Sequence, residues 1–135
     1  MTALLNPSLH FDATARRAME FYLSLFGGDL HLMTFGDMGM DGPTADHVMH
    51  AQLTTPQGFT LMASDTPPGV SLTPGQTVAI SLSGDDEPQL RRWFEALADG
   101  GEVHVPLEKQ MWGDLFGQTA DRFGVTWLVN IGPPA

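Results

Sequence analysis

Two histidines stand where apolar alternation turns polar side chains to one side of a strand: His10 in Leu5-Asn6-Pro7-Ser8-Leu9-His10-Phe11, and His50 in the stretch His47–Thr55. An imidazole changes charge near neutral pH, so it can give or take a proton or hold a ligand oxygen. His50 is the first candidate for such work; bonding to a neighbouring strand is its structural alternative. His10 is the second. Together they offer two nitrogen ligands to a cation, with Asp65 or Glu108 as further donors, and two ligands without a clear third make a weak site. His47 would join His50 on one face only if the strand bulges, because a spacing of three puts them on opposite faces. His31 and His104 read as surface residues. The chain has no cysteine, which removes thiolate nucleophiles, disulfides and cysteine zinc sites together.

A second group lies in WGDLFGQTADRFGVTWLVNI, Trp112 to Ile131. Trp112 precedes a glycine at a bend, outside regular alternation. With Phe116 it reads as an apolar wall for a ligand or a partner subunit. Asp114 and Gln110 are polar groups beside it. Asp121-Arg122-Phe123-Gly124 reads as a hairpin turn, with Asp121 bonding its own backbone and Gly124 taking a positive φ. Trp127 follows the strand alternation and is expected in the core.

The elements that must position these residues follow from periodicity. Leu5–Phe11 reads as a strand with Pro7, Leu9 and Phe11 on one face and Asn6, Ser8 and His10 on the other. Thr14 is the expected N-cap of a helix carrying Ala15, Ala18, Met19, Tyr22, Leu25 and Phe26, stopped by Gly27-Gly28. Strands are predicted over 30–35, 47–55 and 59–65, with a loop at 36–46 that could cover a ligand. Residues 66–76 hold three prolines and two glycines and read as a linker. The order then repeats: a strand at 77–83, a helix opened by Asp86 and Gln89 as a capping box, and strands over 102–109, 115–120 and 125–131. The second helix carries Leu90, Trp93, Phe94 and Leu97 and ends at Gly100-Gly101. Phe21-Tyr22…Gly27-Gly28 is echoed by Trp93-Phe94…Gly100-Gly101 at an offset of about 72 residues, the mark of an internal duplication.

Composition narrows the function classes. The 135 residues carry a net charge of −10, which argues against nucleic acid and anionic membranes as partners. The six basic residues include Arg16-Arg17 and Arg91-Arg92, both on expected helix faces. No apolar run approaches a membrane span, and residues 1–15 lack a signal-peptide pattern, so a cytoplasmic location is expected.

Ala18–Gly28 (AMEFYLSLFGG), His50-Ala51, Ser64-Asp65, Trp93-Phe94…Gly100-Gly101 and the Trp112–Trp127 tail resemble the PhnB-like, glyoxalase-like branch of the vicinal oxygen chelate superfamily, from Asn6 to Ile131. The resemblance implies an α+β fold of the glyoxalase/bleomycin resistance/dioxygenase type. It further implies that two βαβββ modules, about 5–65 and about 77–131 around the linker, pair into a cupped mixed sheet as one domain over 1–135. In metal-using relatives the ligands come from the first, fourth, fifth and eighth strands. Here those places fall on Asn6 or Pro7, on Met62 (or Thr60 or Ser64), on Thr77 and on Leu128. None is a carboxylate or imidazole, so the usual metal site is expected to be missing and no cofactor is expected.

The cleft is instead expected to be lined by hydroxyls, amides and imidazoles. His50 is the candidate acid or base, and His10, Gln52, Met62, Ser64, Trp112, Phe116, Leu128 and Asn130 are the candidate ligand contacts. Two functions compete: an enzyme of unassigned reaction acting on a small polar molecule without the usual metal, and a ligand-sequestering protein like the relatives that trap antibiotics between subunits. The branch has carried a demethylubiquinone methyltransferase label. The sequence argues against it, because no strand ends in a glycine-rich loop opening a helix. A homodimer is expected, as the fold commonly pairs its open sheet edges.

Overall fold

In the first strand, Leu9 and Phe11 turn inward while Ser8 and His10 are exposed, the period-two pattern of a sheet covered on one side. The computed structural model describes residues 3–133 and divides after Thr73 into two compact units. The first contains β1 (Ser8–Phe11), α1 (Ala15–Phe26), β2 (Asp29–Thr34), β3 (Val48–Thr54) and β4 (Thr60–Asp65). The second repeats the order with β5 (Ile80–Gly84), α2 (Glu87–Ala98), β6 (Glu102–Lys109), β7 (Leu115–Ala120) and β8 (Thr126–Ile131). The sheets run β1-β4-β3-β2 and β5-β8-β7-β6; β1–β4 and β5–β8 are parallel and the other pairs antiparallel. This is the α+β arrangement of two βαβββ modules that the sequence implies.

The helices form because their apolar residues recur at three- and four-residue spacing. Ala15, Ala18, Met19, Tyr22 and Phe26 are the buried face of α1, and Leu90, Trp93, Phe94 and Leu97 that of α2. Each helix packs on one face of the sheet in its own unit. The interior of the first unit is built on Met19, Tyr22, Val48 and Leu53, and that of the second on Leu97, Trp127 and Val129.

Helix starts differ from expectation in one respect. Thr14 occupies the N-cap place of α1 but makes no side-chain cap bond. Instead Asp65, at the end of β4, accepts from the Ala15 N–H at 2.9 Å and, through its other oxygen, from the Val48 N–H at 2.8 Å. In α2 the expected cap is present: Asp86 accepts from the Gln89 N–H at 3.3 Å, and a proline stands in the first turn.

The repeated glycine pairs have a steric cause. A Cβ on Gly28 would lie 2.0 Å from the Thr54 carbonyl oxygen, and one on Gly101 2.0 Å from that of Ala120. The chain leaving each helix therefore runs against the end of its own sheet, at the corresponding hairpin, where only glycine fits. Those hairpins also match. In the first, Thr55 N–H donates to Phe59 O and Gly58 N–H to Thr55 O. In the second, Asp121 N–H donates to Val125 O and Gly124 N–H to Asp121 O. Asp121 further accepts from the Phe123 N–H at 2.9 Å, and Gly124 has φ of 87°, as the turn reading requires.

Four expected positions shift. β1 begins at Ser8 rather than Leu5, and Pro7 lies exposed outside it; a proline has no N–H to give a ladder. β5 begins at Ile80, so Thr77 lies outside the strand and Val78 is 80% exposed. The cause is β8, its one neighbour, which starts only at Thr126 after the hairpin and pairs Trp127 with Ile80. Phe35 falls beyond β2 and is buried, its N–H donating to His47 O. Residues 36–46, read as a loop, include a 3-10 turn at Gly36–Met38. Among the described residues no helix is long and apolar enough to cross a membrane.

Candidate functional site

The helix-free face of the first sheet collects the polar residues. His10 pairs with Ser64 across β1 and β4. In the antiparallel β3–β4 ladder, Ala51 opposes Ala63, which puts His50 one place on, against Ser64. His50 in turn opposes Met33 of β2. One cross-strand row therefore reads His10, Ser64, His50, Met33. The next reads Ser8, Met62, Gln52, His31. The opposite face holds Leu9, Phe11, Ala51, Leu53, Leu61 and Ala63 against α1, so alternation alone decides which residues stay open. Both His10 and His50 are exposed within the chain, and among the described residues no hydrogen bond holds either imidazole.

The bulge that would bring His47 into phase with His50 is present. Met33 opposes His50 but Thr34 opposes Val48, so β3 takes two residues where β2 takes one. Val48 and Ala51, three apart, are both buried as a result. The candidate donor Asp65 is not available to this face. It is 3% exposed, and both its oxygens accept backbone N–H groups on the helix side. Among the described residues no group of three or more histidines, aspartates or glutamates is placed to hold a metal ion.

The helix-free face of the second sheet is built on the same register with different chemistry. Ser83, Asn130, Phe116 and Glu108 form one row; Ser81, Leu128, Gln118 and Val105 form the next. Asn130 donates its amide to Asp114 Oδ2 at 3.0 Å. Trp112, in the β6–β7 connection and 61% exposed, meets Phe116 edge-on with ring centroids 5.9 Å apart. Gln110 turns back on its own loop, its side-chain amide donating to the Glu108 carbonyl and its N–H accepted by Asp114 O. Trp127 is buried on the other face, where its Nε1–H donates to Asp121 Oδ2 at 2.9 Å.

The structure thus puts His10, His50, Gln52, Met62 and Ser64 on one sheet face, and Phe116, Leu128 and Asn130 on the other sheet's face beside Trp112. His31, read as a surface residue, is exposed and shares a row with Gln52, and Met33 and Gln118 join the two faces although the sequence reading did not single them out. The signal for them was present: Leu30 and Leu32 alternate with His31 and Met33, and Gly117 and Thr119 with Gln118. One carboxyl group with a shifted affinity for its proton lies just beyond β2, away from the candidate residues. The N–H and hydroxyl of Thr34 hold the Asp37 carboxyl below its ordinary value, with Arg16 adding a smaller pull.

Comparison with known proteins gives a consistent set of likenesses. The family model described as 3-demethylubiquinone-9 3-methyltransferase matches residues 3–130. The crystal structure of PA1353 from Pseudomonas aeruginosa has a TM-score of 0.89 at 37% identity, over 98% of this chain and 99% of that one. A PhnB protein from Bacillus cereus, which carries the 3-demethylubiquinone-9 3-methyltransferase designation, has a TM-score of 0.73 at 25% identity, over 96% of this chain and 100% of that one. At the level of the fold alone, a glyoxylase/bleomycin resistance protein/dioxygenase domain from Frankia sp. EAN1pec has a TM-score of 0.67 at 16% identity, over 98% of both chains.

Proposed function

The chain belongs to the PhnB-like family of the vicinal oxygen chelate superfamily, the family whose model bears the 3-demethylubiquinone-9 3-methyltransferase description, and on that premise we propose that it binds a small polar molecule through the helix-free faces of its sheets. The observation that carries this reading is the row His10, Ser64, His50, whose imidazoles are open and bonded to no described residue. Groups so placed are ready to meet a ligand rather than spent on the fold. On the first sheet's face His50 is the general acid or base of this reading, Ser64 and Gln52 hold ligand oxygens or amides and Met62 supplies apolar contact; on the second sheet's face Asn130 offers an amide, and Leu128, Phe116 and Trp112 apolar contact. His10 supports the first face.

The family's metal does not suit this chain. The places the resemblance assigns to the metal hold Asn6 or Pro7, Met62 (or Thr60 or Ser64), Thr77 and Leu128; Met62 pairs with Ser8 and Leu128 with Ser81, while the imidazole of the first strand, His10, pairs with Ser64. Hydroxyls, a thioether and an aliphatic group are poor partners for a hard divalent ion. Methyl transfer from a nucleotide-like cofactor is also disfavoured, on architecture. Each sheet has four strands with one parallel pair, so neither offers the switch point of a doubly wound sheet. The family description and this reading therefore differ on chemistry, and turnover of a quinone precursor with S-adenosylmethionine would decide for the former.

A non-catalytic, ligand-sequestering homodimer is the second reading. The exposed Trp112, edge-on to Phe116, favours it, because sequestration needs apolar walls more than proton transfer.

The test is a metabolite thermal-shift screen on wild type and His50→Ala, with elemental analysis of the natively purified protein and its mass by light scattering. A ligand that stabilises wild type and not the variant is the expected result. Equal stabilisation removes His50 from the site, and stoichiometric zinc, nickel or manganese overturns the metal-free reading. A monomeric mass removes the dimer.

A further inference from the structure

Where β6 turns into β7, the second unit leaves an aromatic pair at the end of its helix-free face. Trp112 is 61% exposed, while Trp93 and Trp127 are buried. Its ring meets that of Phe116 at 63° with centroids 5.9 Å apart, so the two planes form an open corner. The connection that presents Trp112 is closed by its own backbone: Gly113 N–H donates to Gln110 O at 3.0 Å, and Gln110 N–H to Asp114 O at 2.8 Å. Gly113 has φ of 103°, which a side chain would strain. The exposed ring is therefore held in place by a formed turn, which lowers the ordering cost of binding.

Carboxylates flank this corner. Phe116 directly opposes Glu108 across β6 and β7 and Asn130 across β7 and β8, and directly opposed side chains have Cβ atoms about 4.5–5.5 Å apart. Asn130 donates to Asp114 Oδ2 at 3.0 Å, which fixes that carboxylate beside the row. Glu108 is exposed, and its carboxylate has no hydrogen bond or ion pair among the described residues. The basic residues of this unit are placed elsewhere. Lys109 turns to the other side of β6 by alternation, Arg91 pairs with Glu87, Arg122 pairs with Asp99, and Arg92 stands on the covering helix.

We propose that this corner binds an alkylated organic ammonium ion, its alkyl groups against Trp112 and Phe116 and its charge offset by Glu108 and Asp114. A ring face attracts a cation within about 6 Å of its centroid, and tryptophan does so best. A ring accepts no strong hydrogen bond, so an ammonium already covered by alkyl groups loses less on leaving water than one with N–H groups. The carboxylates then act through charge, which draws a cation, repels an anion and gives a neutral apolar guest nothing. The net charge of −10 works in the same direction. The inference names the ligand class of the second sheet's face; it rests on the ligand reading for the use of that face and on nothing in the His50 row.

The experiment titrates the full chain with choline and with its uncharged isostere 3,3-dimethylbutan-1-ol, read by the indole N–H resonances. Choline is expected to shift that of Trp112 and leave those of the buried Trp93 and Trp127 in place. Loss of the ring in Trp112→Ala and loss of the charge in the alcohol are each expected to weaken binding by about 2–30-fold, the range of one cation–ring contact. Trp112→Phe keeps a ring and should recover most of the affinity. Glu108→Gln should weaken binding and flatten its salt dependence. Glu20→Gln, exposed on α1 in the other unit, removes the same charge and should bind as wild type does. Circular dichroism and the melting temperature check that each variant folds. No binding of choline by wild type, equal binding of the alcohol, unchanged affinity in Trp112→Ala, or equal losses in Glu108→Gln and Glu20→Gln each overturns the proposal. So does a mass that halves in Trp112→Ala when choline has no effect on wild type, because the rings then serve a second copy of the chain. If choline fails while a metabolite stabilises wild type and not His50→Ala, the cation falls and the ligand reading stands. If choline binds as expected while His50→Ala answers every metabolite as wild type does, the cation site stands and the His50 row falls.

Discussion

Where α1 begins, the chain reaches fifty residues ahead for its cap; where α2 begins, it uses a residue three places away. The two units share element order, the register of the three strands β1-β4-β3 and β5-β8-β7, hairpin bonding and the glycine that closes each helix exit. They differ in how they satisfy the same orphan amides. In the first, one buried carboxylate serves the helix start and the head of β3 together, so the local sequence is relieved of that duty and Thr14 is idle. In the second, Asp86 caps locally, and the buried carboxylate sits in the hairpin at Asp121. A duplicated fold therefore constrains where backbone donors need partners, and leaves open which residue supplies them.

The open faces differ in the same spirit. Equivalent register places hold His10 and Ser83, Ser64 and Asn130, His50 and Phe116, Met62 and Leu128. The ladders that position these side chains are common to both units. The imidazoles and thioethers are concentrated in the first, and the aromatic contact in the second.

The largest expected effect comes from breaking the long-range cap. Asp65→Ala removes a charged acceptor from two buried N–H groups, each such bond contributing about 1.5–3 kcal/mol. The variant should lose about 3 kcal/mol or more of stability in urea unfolding, with the local counterpart Asp86→Ala losing about 1 kcal/mol. Equal losses would erase the distinction between the two helix starts.

Next in size is Asp121→Thr, which gives the second hairpin the residue of the first. A threonine at the corresponding place, Thr55, bonds Phe59 in both directions, so the turn itself should form. The change removes the carboxylate that accepts Trp127 Nε1–H, and the expected loss is about 1–3 kcal/mol. A neutral result would mean that the second carboxylate serves the turn alone.

The smallest effect concerns pH. The bonds from Thr34 lower the Asp37 carboxyl from its ordinary 3.8 in the folded protein. A depressed folded value means that the contribution is complete above the ordinary value and is lost as pH falls through the folded one. The Thr34 amide proton should therefore titrate below pH 3.8 and be flat in Asp37→Asn. Titration at or above that value would show the turn to be unformed in solution. This measurement sharpens the description of the first unit alone.

Much of the scaffold was legible because it rests on local periodicity. The strands at 102–109 and 115–120, the buried stripes of both helices, the Asp86–Gln89 start and the Asp121–Gly124 turn each follow from residues within a few places of one another. What failed depended on distant partners. Asp65 reads from the sequence as a possible cation donor, and its capping role shows only when the fold carries it to the head of α1. The length of β5 is decided by where β8 emerges from its hairpin, and that of β1 by a proline. The bulge in β3 likewise arises from pairing with β2. At the candidate site, alternation was enough to put His10, His50, Gln52, Ser64 and Asn130 on open faces. His31 was set aside as a surface residue because its row partner Gln52 is visible only through the register.

The two missing side chains at Gly28 and Gly101 also govern where such a protein can change in length. Each glycine docks the helix exit onto the end of one hairpin, so that hairpin is pinned and is matched between the units bond for bond. The other connection in each unit carries no such dock, and there the copies have diverged: a long excursion joins β2 to β3, and a tight one joins β6 to β7. Insertions that retune the chain for a new task are thereby channelled to one end of each sheet, while the opposite end keeps its inherited form.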